Sequence, residues 1–104
     1  EWLDREPRLR AGILVPMESP ELAVAEIERR AADRRFVQVL LLGAAETLLG
    51  RRVNWPIFEA AERHAMPVAL QVTSGTRFAP SANGWPTYLI EDHVNFAQTF
   101  QSQL

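Results

Sequence analysis

The residue of greatest chemical interest is Gln71, in the stretch MPVALQVTSG at positions 66–75. A polar amide sits near the end of a short apolar run, Val68 to Val72, that otherwise reads as a buried strand. An amide in that position is either an ordinary hydrogen-bonded core group or part of a site at the strand's end. It can donate and accept hydrogen bonds, but it cannot act as an acid or base near neutral pH. The loops that follow the apolar runs supply further polar groups: Met17 and Glu18, then Glu46, Arg51 and Arg52, then Thr73, Ser74 and Arg77. An arginine fork grips a carboxylate at two points, so Arg51, Arg52 and Arg77 are candidate carboxylate binders. Their plainer reading is as solvated loop arginines. Ser74 stands in TSGT, which is not a GxSxG nucleophile elbow, and it has no evident base partner. The only histidines are His64 and His93, in neither an HxH nor an HExxH pattern. His64 falls in the last turn of a helix, where a cation suits the dipole. His93 reads as a surface or packing residue within the last helix. The chain has no Cys, which removes disulfides, thiolate metal sites and cysteine nucleophiles. All of its other basic residues are Arg, so Schiff-base and Walker-type lysine chemistry is absent from these residues.

Alternating strands and helices must position these groups. RLRAGILVP carries a first strand, about Leu9 to Val15, closed by Pro16. In the segment that follows, Ser19 is a natural N-cap, Pro20 sits at the first helical position and Glu21 favours the positive helix end. Leu22, Val24, Ile27 and Ala31 give this helix an apolar face, and Glu26 with Arg30 forms an i,i+4 pair on the wet side. RFVQVLLLG is a second strand, Phe36 to Leu42, ended by Gly43. After a longer loop comes a second helix, WPIFEAAERHA, capped by Asn54, with Pro56 in its first turn and Glu59 paired with Arg63. MPVALQV is the third strand. A Gly-, Ser- and Pro-rich loop leads to a last helix capped by Thr87, where Leu89, Ile90, Val94, Ala97 and Phe100 recur at helical spacing. Trp2, Trp55 and Trp85 read as packing anchors, with Trp85 also suited to line a pocket mouth.

The order strand, helix, strand, helix, strand, helix predicts an α/β fold with parallel strands and right-handed crossovers. In the second strand Val37, Val39 and Leu41 point one way and Leu40 and Leu42 the other, so both faces are apolar, as in buried parallel strands. Strands in sequential order take their helices on one side only. Something outside these three units must cover the other side, either the second helical layer of a doubly wound sheet or the closed interior of a (β/α)8 barrel. In the third strand Val68, Leu70 and Val72 share one face while Ala69 and Gln71 share the other. A small residue followed by a polar one suits a barrel interior rising to its C-terminal rim, where barrel active sites lie. A receiver-like or flavodoxin-like domain fits the alternation, but no Asp ends any of the three strands to build an acidic pocket.

RFVQVLLLG followed by WPIFEAAERHAMPVALQ resembles the middle of a metal-dependent hydrolase of the amidohydrolase superfamily. The resemblance is greatest to the branch that includes aminocarboxymuconate-semialdehyde decarboxylase and related aromatic-acid decarboxylases. That branch often shows W/D-P-I-(Y/F)-x-A-A-x-x-x-G-(L)-P-V-x-x-H, and Trp55, Pro56, Ile57, Phe58, Ala60, Ala61, Pro67 and Val68 match it. The likeness covers most of the chain and is densest from Arg35 to Gln71. It implies a (β/α)8 TIM barrel of which residues 1–104 are the third to fifth strand units, without separate domains. It implies hydrolysis or non-oxidative decarboxylation of a small carboxylated or cyclic substrate. The loops after the strands would form the barrel mouth, so Glu46, Arg51, Thr73, Ser74 and Arg77 are the expected substrate-binding residues. The resemblance also implies a divalent metal, zinc or similar, held by histidines and an Asp at strand ends. Only one of those ligand positions, the fifth-strand His, falls in this segment, and there the chain has Gln71. Three roles for Gln71 stay open: a hydrogen-bonded rim residue without metal, an outer-sphere or substrate-binding group beside a metal held elsewhere, or a direct amide-oxygen ligand. A catalytically degenerate homologue or non-catalytic assembly module is the alternative to an enzyme.

With 104 residues, net charge −2, 47% hydrophobic and 23% charged residues, the composition is that of one globular domain or less. The charge balance leaves no electrostatic footprint for nucleic acid or an anionic membrane. No apolar run approaches the roughly 20 residues of a membrane span. The charged opening EWLDREPRLR is not a signal peptide, and the expected compartment is the cytoplasm. That opening reads as the tail of a helix, and HVNFAQTFQSQL stops in mid-helix, which suggests a piece of a longer protein. The expected partners are the remainder of the barrel, a small-molecule substrate and, through unpaired sheet edges, further copies of the chain.

Overall fold

A computed structural model describes residues 1–43 and 47–71, together with Ala97 and Gln101. A short helix α1 (Trp2–Arg5) is followed by β1 (Ala11–Leu14), α2 (Pro20–Ala31), β2 (Phe36–Leu42), a 3-10 turn (Arg52–Asn54), α3 (Trp55–Arg63) and β3 (Val68–Gln71). The three strands form one parallel sheet in the order β1-β2-β3. The expected last helix, its Thr87 cap, His93 and Trp85 lie outside the described residues.

Strand β2 has the bounds that its apolar run predicts, while β1 begins two residues later than Leu9. Its Ile13 pairs with Val39, and Leu14 with Leu40. On the other side of β2, Val39, Leu40, Leu41 and Leu42 pair with Val68, Ala69, Leu70 and Gln71. A register shift between Ala11 and Gly12 sets these residues against Phe36 and Gln38. The shift leaves Val37 as an extra residue, 43% exposed and off the buried face on which alternation alone puts it.

One face of the sheet is packed. Ile13, Val39 and Leu41 are buried with Ala23 and Ile27 of α2 and Ile57, Ala60 and Ala61 of α3. Val68 and Leu70 pack against the same cluster, and α2 and α3 pack on each other. Ala23 and the two alanines of α3 let the helices come close. In α2 the inward stripe runs through Ala23 and Ile27, and Leu22 stays outside it, 62% exposed. Trp2 and Trp55 are likewise exposed and do not anchor this core.

Polar ties fasten the ends of the helices. Ser19 is the N-cap of α2 by backbone position, but its hydroxyl meets the Glu21 carboxylate at 3.5 Å rather than a backbone amide. Glu26 accepts from both Arg29 and Arg30. Arg63 is not held by Glu59; its guanidinium crosses to Glu28 of α2 at 2.7 Å, and His64 Nε2 lies 2.7 Å from the other oxygen of the same carboxylate. Arg63 first, and His64 second, hold the Glu28 carboxyl below its usual range. Arg35 joins Asp33 and, at 2.6 Å, Asp4, tying α1 to the start of β2.

Helix α3 closes with both bonds of a Schellman turn. Met66 N–H donates to the Ala61 carbonyl and Ala65 N–H to the Glu62 carbonyl, each at 2.9 Å. This turn needs a left-handed residue at position 65, and Ala65 takes it with φ 51°. The motif quoted above has glycine at this position, which would be free of the Cβ strain. Ala65→Gly should therefore stabilise the protein by about 0.5–1 kcal/mol, read as a higher midpoint in urea unfolding.

The Asp33 carboxyl is pulled down to about 2, first by the Arg35 side chain and then by the Arg35 backbone N–H. A lowered carboxyl pKa means that the folded state favours the charged form. Its contribution to stability is complete above the ordinary value of 3.8 and is lost as pH falls toward 2. In a carbon NMR titration Asp33 should titrate below the other exposed carboxylates, and Arg35→Gln should move its midpoint up toward the ordinary value.

Candidate functional site

The candidate site lies on the sheet face that α2 and α3 leave bare. Residues that alternate with the buried ones share this face: Gly12 and Leu14, then Gln38, Leu40 and Leu42, then Ala69 and Gln71. Leu14 is 59% exposed and Leu42 36%. Gln71 stands beside Leu42 in the row nearest the C-terminal end, with its side chain exposed. At the lower end Gly12 makes room for a second amide. A Cβ on Gly12 would stand 3.3 Å from both Gln38 Nε2 and Leu40 Cβ, tighter than ordinary contact. Gln38 escapes a search for motifs, and only its place in the alternation marks it as a polar group on the same face as Gln71.

The backbone at the upper end is well satisfied. Strand β2 runs past the last pair with β1, and the Leu42 N–H, beyond β1, is accepted by the Met17 sulfur at 3.3 Å. Gly43 N–H donates to the Gln71 carbonyl at 2.7 Å. Gln71 is thus tied through its main chain, and its amide makes no hydrogen bond with a described residue.

The connection from β2 to α3 is held on the same C-terminal side of the sheet. Asn54, 1% exposed, is at the N-cap position but makes no side-chain capping bond. Its Nδ2 instead donates back to the Leu48 carbonyl at 3.0 Å and reaches the Leu49 carbonyl at 3.5 Å. Leu49 itself is buried in the core. Trp55 Nε1 donates to the Gly50 carbonyl at 3.2 Å, and the Arg52 guanidinium lies over the Trp55 ring, 5.5 Å from its centroid. Arg51 is exposed on this connection. Its guanidinium has no hydrogen bond or ion pair with a described residue.

Of the residues that sequence reasoning put at the substrate, Arg51 is therefore on the C-terminal side of the sheet, as is Gln71. Glu46, Thr73, Ser74 and Arg77 lie outside the described residues. His64 is at the opposite end: it is the C-cap of α3, before β3 begins, and its ring binds Glu28 rather than capping carbonyls.

The described residues do not by themselves make an imidazole-type metal centre. Among the described residues no three His, Cys, Asp or Glu side chains come together to hold a metal ion. At the strand-end position where the resemblance calls for His, Gln71 supplies only an amide oxygen, a harder and weaker donor. Among the described residues no helix is long and apolar enough to cross a membrane.

The sequence model of a family described as Amidohydrolase matches residues 1–102. No curated protein matches the chain.

Removing the Asn54 amide should loosen the connection that carries Arg51 and Arg52. Asn54→Ala removes the donor to the part-buried Leu48 carbonyl and should cost about 0.5–1.5 kcal/mol of stability. The check is urea unfolding together with faster hydrogen exchange in residues 48–54.

Proposed function

Because the chain belongs to the amidohydrolase family, we propose that it is part of a hydrolase-type enzyme that acts on a small carboxylated or cyclic substrate at the C-terminal end of its sheet. The observation that carries this reading is the division of the sheet. One face is sealed by α2 and α3, and the other presents Leu14, Leu40 and Ala69 below a top row of Leu42 and the Gln71 amide. That pattern is expected of an arc of a (β/α)8 barrel: apolar side chains fill the interior and polar groups gather at the upper rim. The remainder of the barrel is the partner that such an arc requires. The motif around Trp55 to Val68 supports the branch of aromatic-acid decarboxylases, in which the reaction would be loss of carbon dioxide rather than hydrolysis.

In this reading Arg51 supplies a positive charge for a substrate carboxylate. Gln71 positions substrate by hydrogen bonds through its amide, since it has no proton to exchange near neutral pH. The family generally uses a divalent metal, which activates water or polarises the substrate when bound. The resemblance aligns Gln71 with the family's fifth-strand His, and an amide oxygen is the poorer donor there.

The same residue favours a second reading, a homologue that has lost catalysis and retains the barrel for assembly. Elemental analysis of the full-length protein, with a panel of aromatic carboxylates followed for released carbon dioxide and of cyclic amides followed for ring opening, separates the two. Stoichiometric metal with turnover of any member of the panel supports the enzyme; absence of both supports the assembly module. Gln71→His should tighten zinc binding by about tenfold or more in a chelator competition, because it restores a borderline-soft donor at the strand end.

A further inference from the structure

We propose that Arg52, whose guanidinium lies over the Trp55 ring, is the specificity-determining residue for a carboxylate on the ligand. This deepens the reading above and rests on it for the view that the C-terminal side of the sheet receives the substrate.

Two arginines in the described structure lie over aromatic rings, and they differ in one respect. Arg30 lies 5.1 Å over Phe36, but its Nε donates to Glu26 at 3.1 Å, so its hydrogen-bonding edge is engaged by a carboxylate. Arg52 lies 5.5 Å over Trp55. Its guanidinium has no carboxylate partner among the described residues. Most described arginines do have one: Arg5 with Glu1, Arg8 with Glu6, Arg29 and Arg30 with Glu26, Arg35 with Asp33, and Arg63 with Glu28.

The Trp55 ring attracts the cation from one side, and no described carboxylate takes its N–H groups, which are the groups that match a ligand carboxylate. The platform beneath is rigid. Trp55 opens α3, its indole N–H is fixed to the Gly50 carbonyl, and buried Asn54 pins the preceding turn through Leu48 and Leu49. Much of the entropy cost of holding a long arginine in one orientation is therefore met before any ligand arrives. Arg51, next in the chain, adds a second positive charge without a described partner. The ligand class that fits is a planar monocarboxylate, bound bidentately by Arg52.

Benzoate is the probe, with benzamide as its uncharged counterpart, titrated into the full-length protein and followed by the Trp55 indole N–H and Arg52 Nε–H signals. Benzoate should shift both signals saturably, and benzamide should bind at least about tenfold more weakly. Arg52→Gln should weaken benzoate by about tenfold or more with the thermal midpoint unchanged. Arg52→Lys should recover only part of this, because an ammonium lacks the fork. Trp55→Leu should weaken binding about threefold through loss of the platform. Benzamide binding as well as benzoate, or Arg52→Gln binding benzoate within about twofold of the original protein, overturns the proposal. Binding is read without turnover, so a protein that lacks both metal and turnover yet takes benzoate through Arg52 would refute the enzyme reading and leave this one standing.

Discussion

A parallel sheet whose strands lie in sequence order receives both of its crossover helices on one face, and the rest of this structure follows from that. Each strand must reverse through a helix before it can run parallel to its predecessor. Crossovers of one hand then stack α2 and α3 side by side. The helices bury Ile13, Val39 and Leu41 completely and leave the alternate residues of the same strands uncovered. The sheet is therefore a wall with one finished side. The composition of the unfinished side, one glycine, four aliphatic residues and two amides, is too apolar for solvent and too polar at its upper row for a sealed core. A barrel lumen that opens at one end meets both conditions.

The second consequence concerns the connections. Loops at the C-terminal end of such a sheet carry its chemistry, yet they have no ladder of backbone bonds to hold them. In the β2–α3 connection the missing ladder is replaced by side chains. Leu49 is buried as an apolar anchor, Asn54 ties down the carbonyls before it, and the Trp55 indole holds Gly50. Each of these residues uses a group that would otherwise be lost. The buried Asn54 amide has no water to bond, so its hydrogen bonds to Leu48 and Leu49 make its burial tolerable as well as fixing the turn. Arg51 and Arg52 are thereby presented on a stiff connection rather than on a free one.

The alternation of strands and helices, the bounds of β2 and the assignment of Val68 and Leu70 to the packed face were legible in the sequence, because periodicity is a local property of the chain. The partners of long polar side chains were not. Glu59 and Arg63 have the spacing of an i,i+4 pair, but α2 brings Glu28 within reach, and a carboxylate that can serve Arg63 and His64 together takes precedence. Asn54 precedes a helix as a cap should, yet the same amide can satisfy carbonyls behind it, and the burial of Leu49 turns it that way. Val37 follows the pleat in sequence, but a register shift with Gly12 takes it off the packed face. Of the candidate site, the face of Gln71 was legible, because the strand's alternation puts it there, whereas the Arg52–Trp55 contact joins residues three apart that the sequence shows as two unrelated elements, a loop cation and a packing anchor.

Two positions at which the chain departs from the motif it resembles, Ala65 and Gln71, have opposite kinds of consequence. Ala65 changes the strain and keeps the geometry. Its left-handed backbone and both Schellman bonds are retained in spite of the added Cβ, so the chain leaves α3 in the direction that a glycine would have allowed without strain. That direction sets the register of β3, and the register sets the height at which Gln71 emerges beside Leu42. Gln71 changes the chemistry and keeps the position. Had the turn at 65 relaxed, a slip of one residue would have sent the amide into the helices and Leu70 onto the bare face. The strained turn therefore keeps the Gln71 amide on the bare face, and a change of side chain at 71 alters what that face offers rather than where the residue stands.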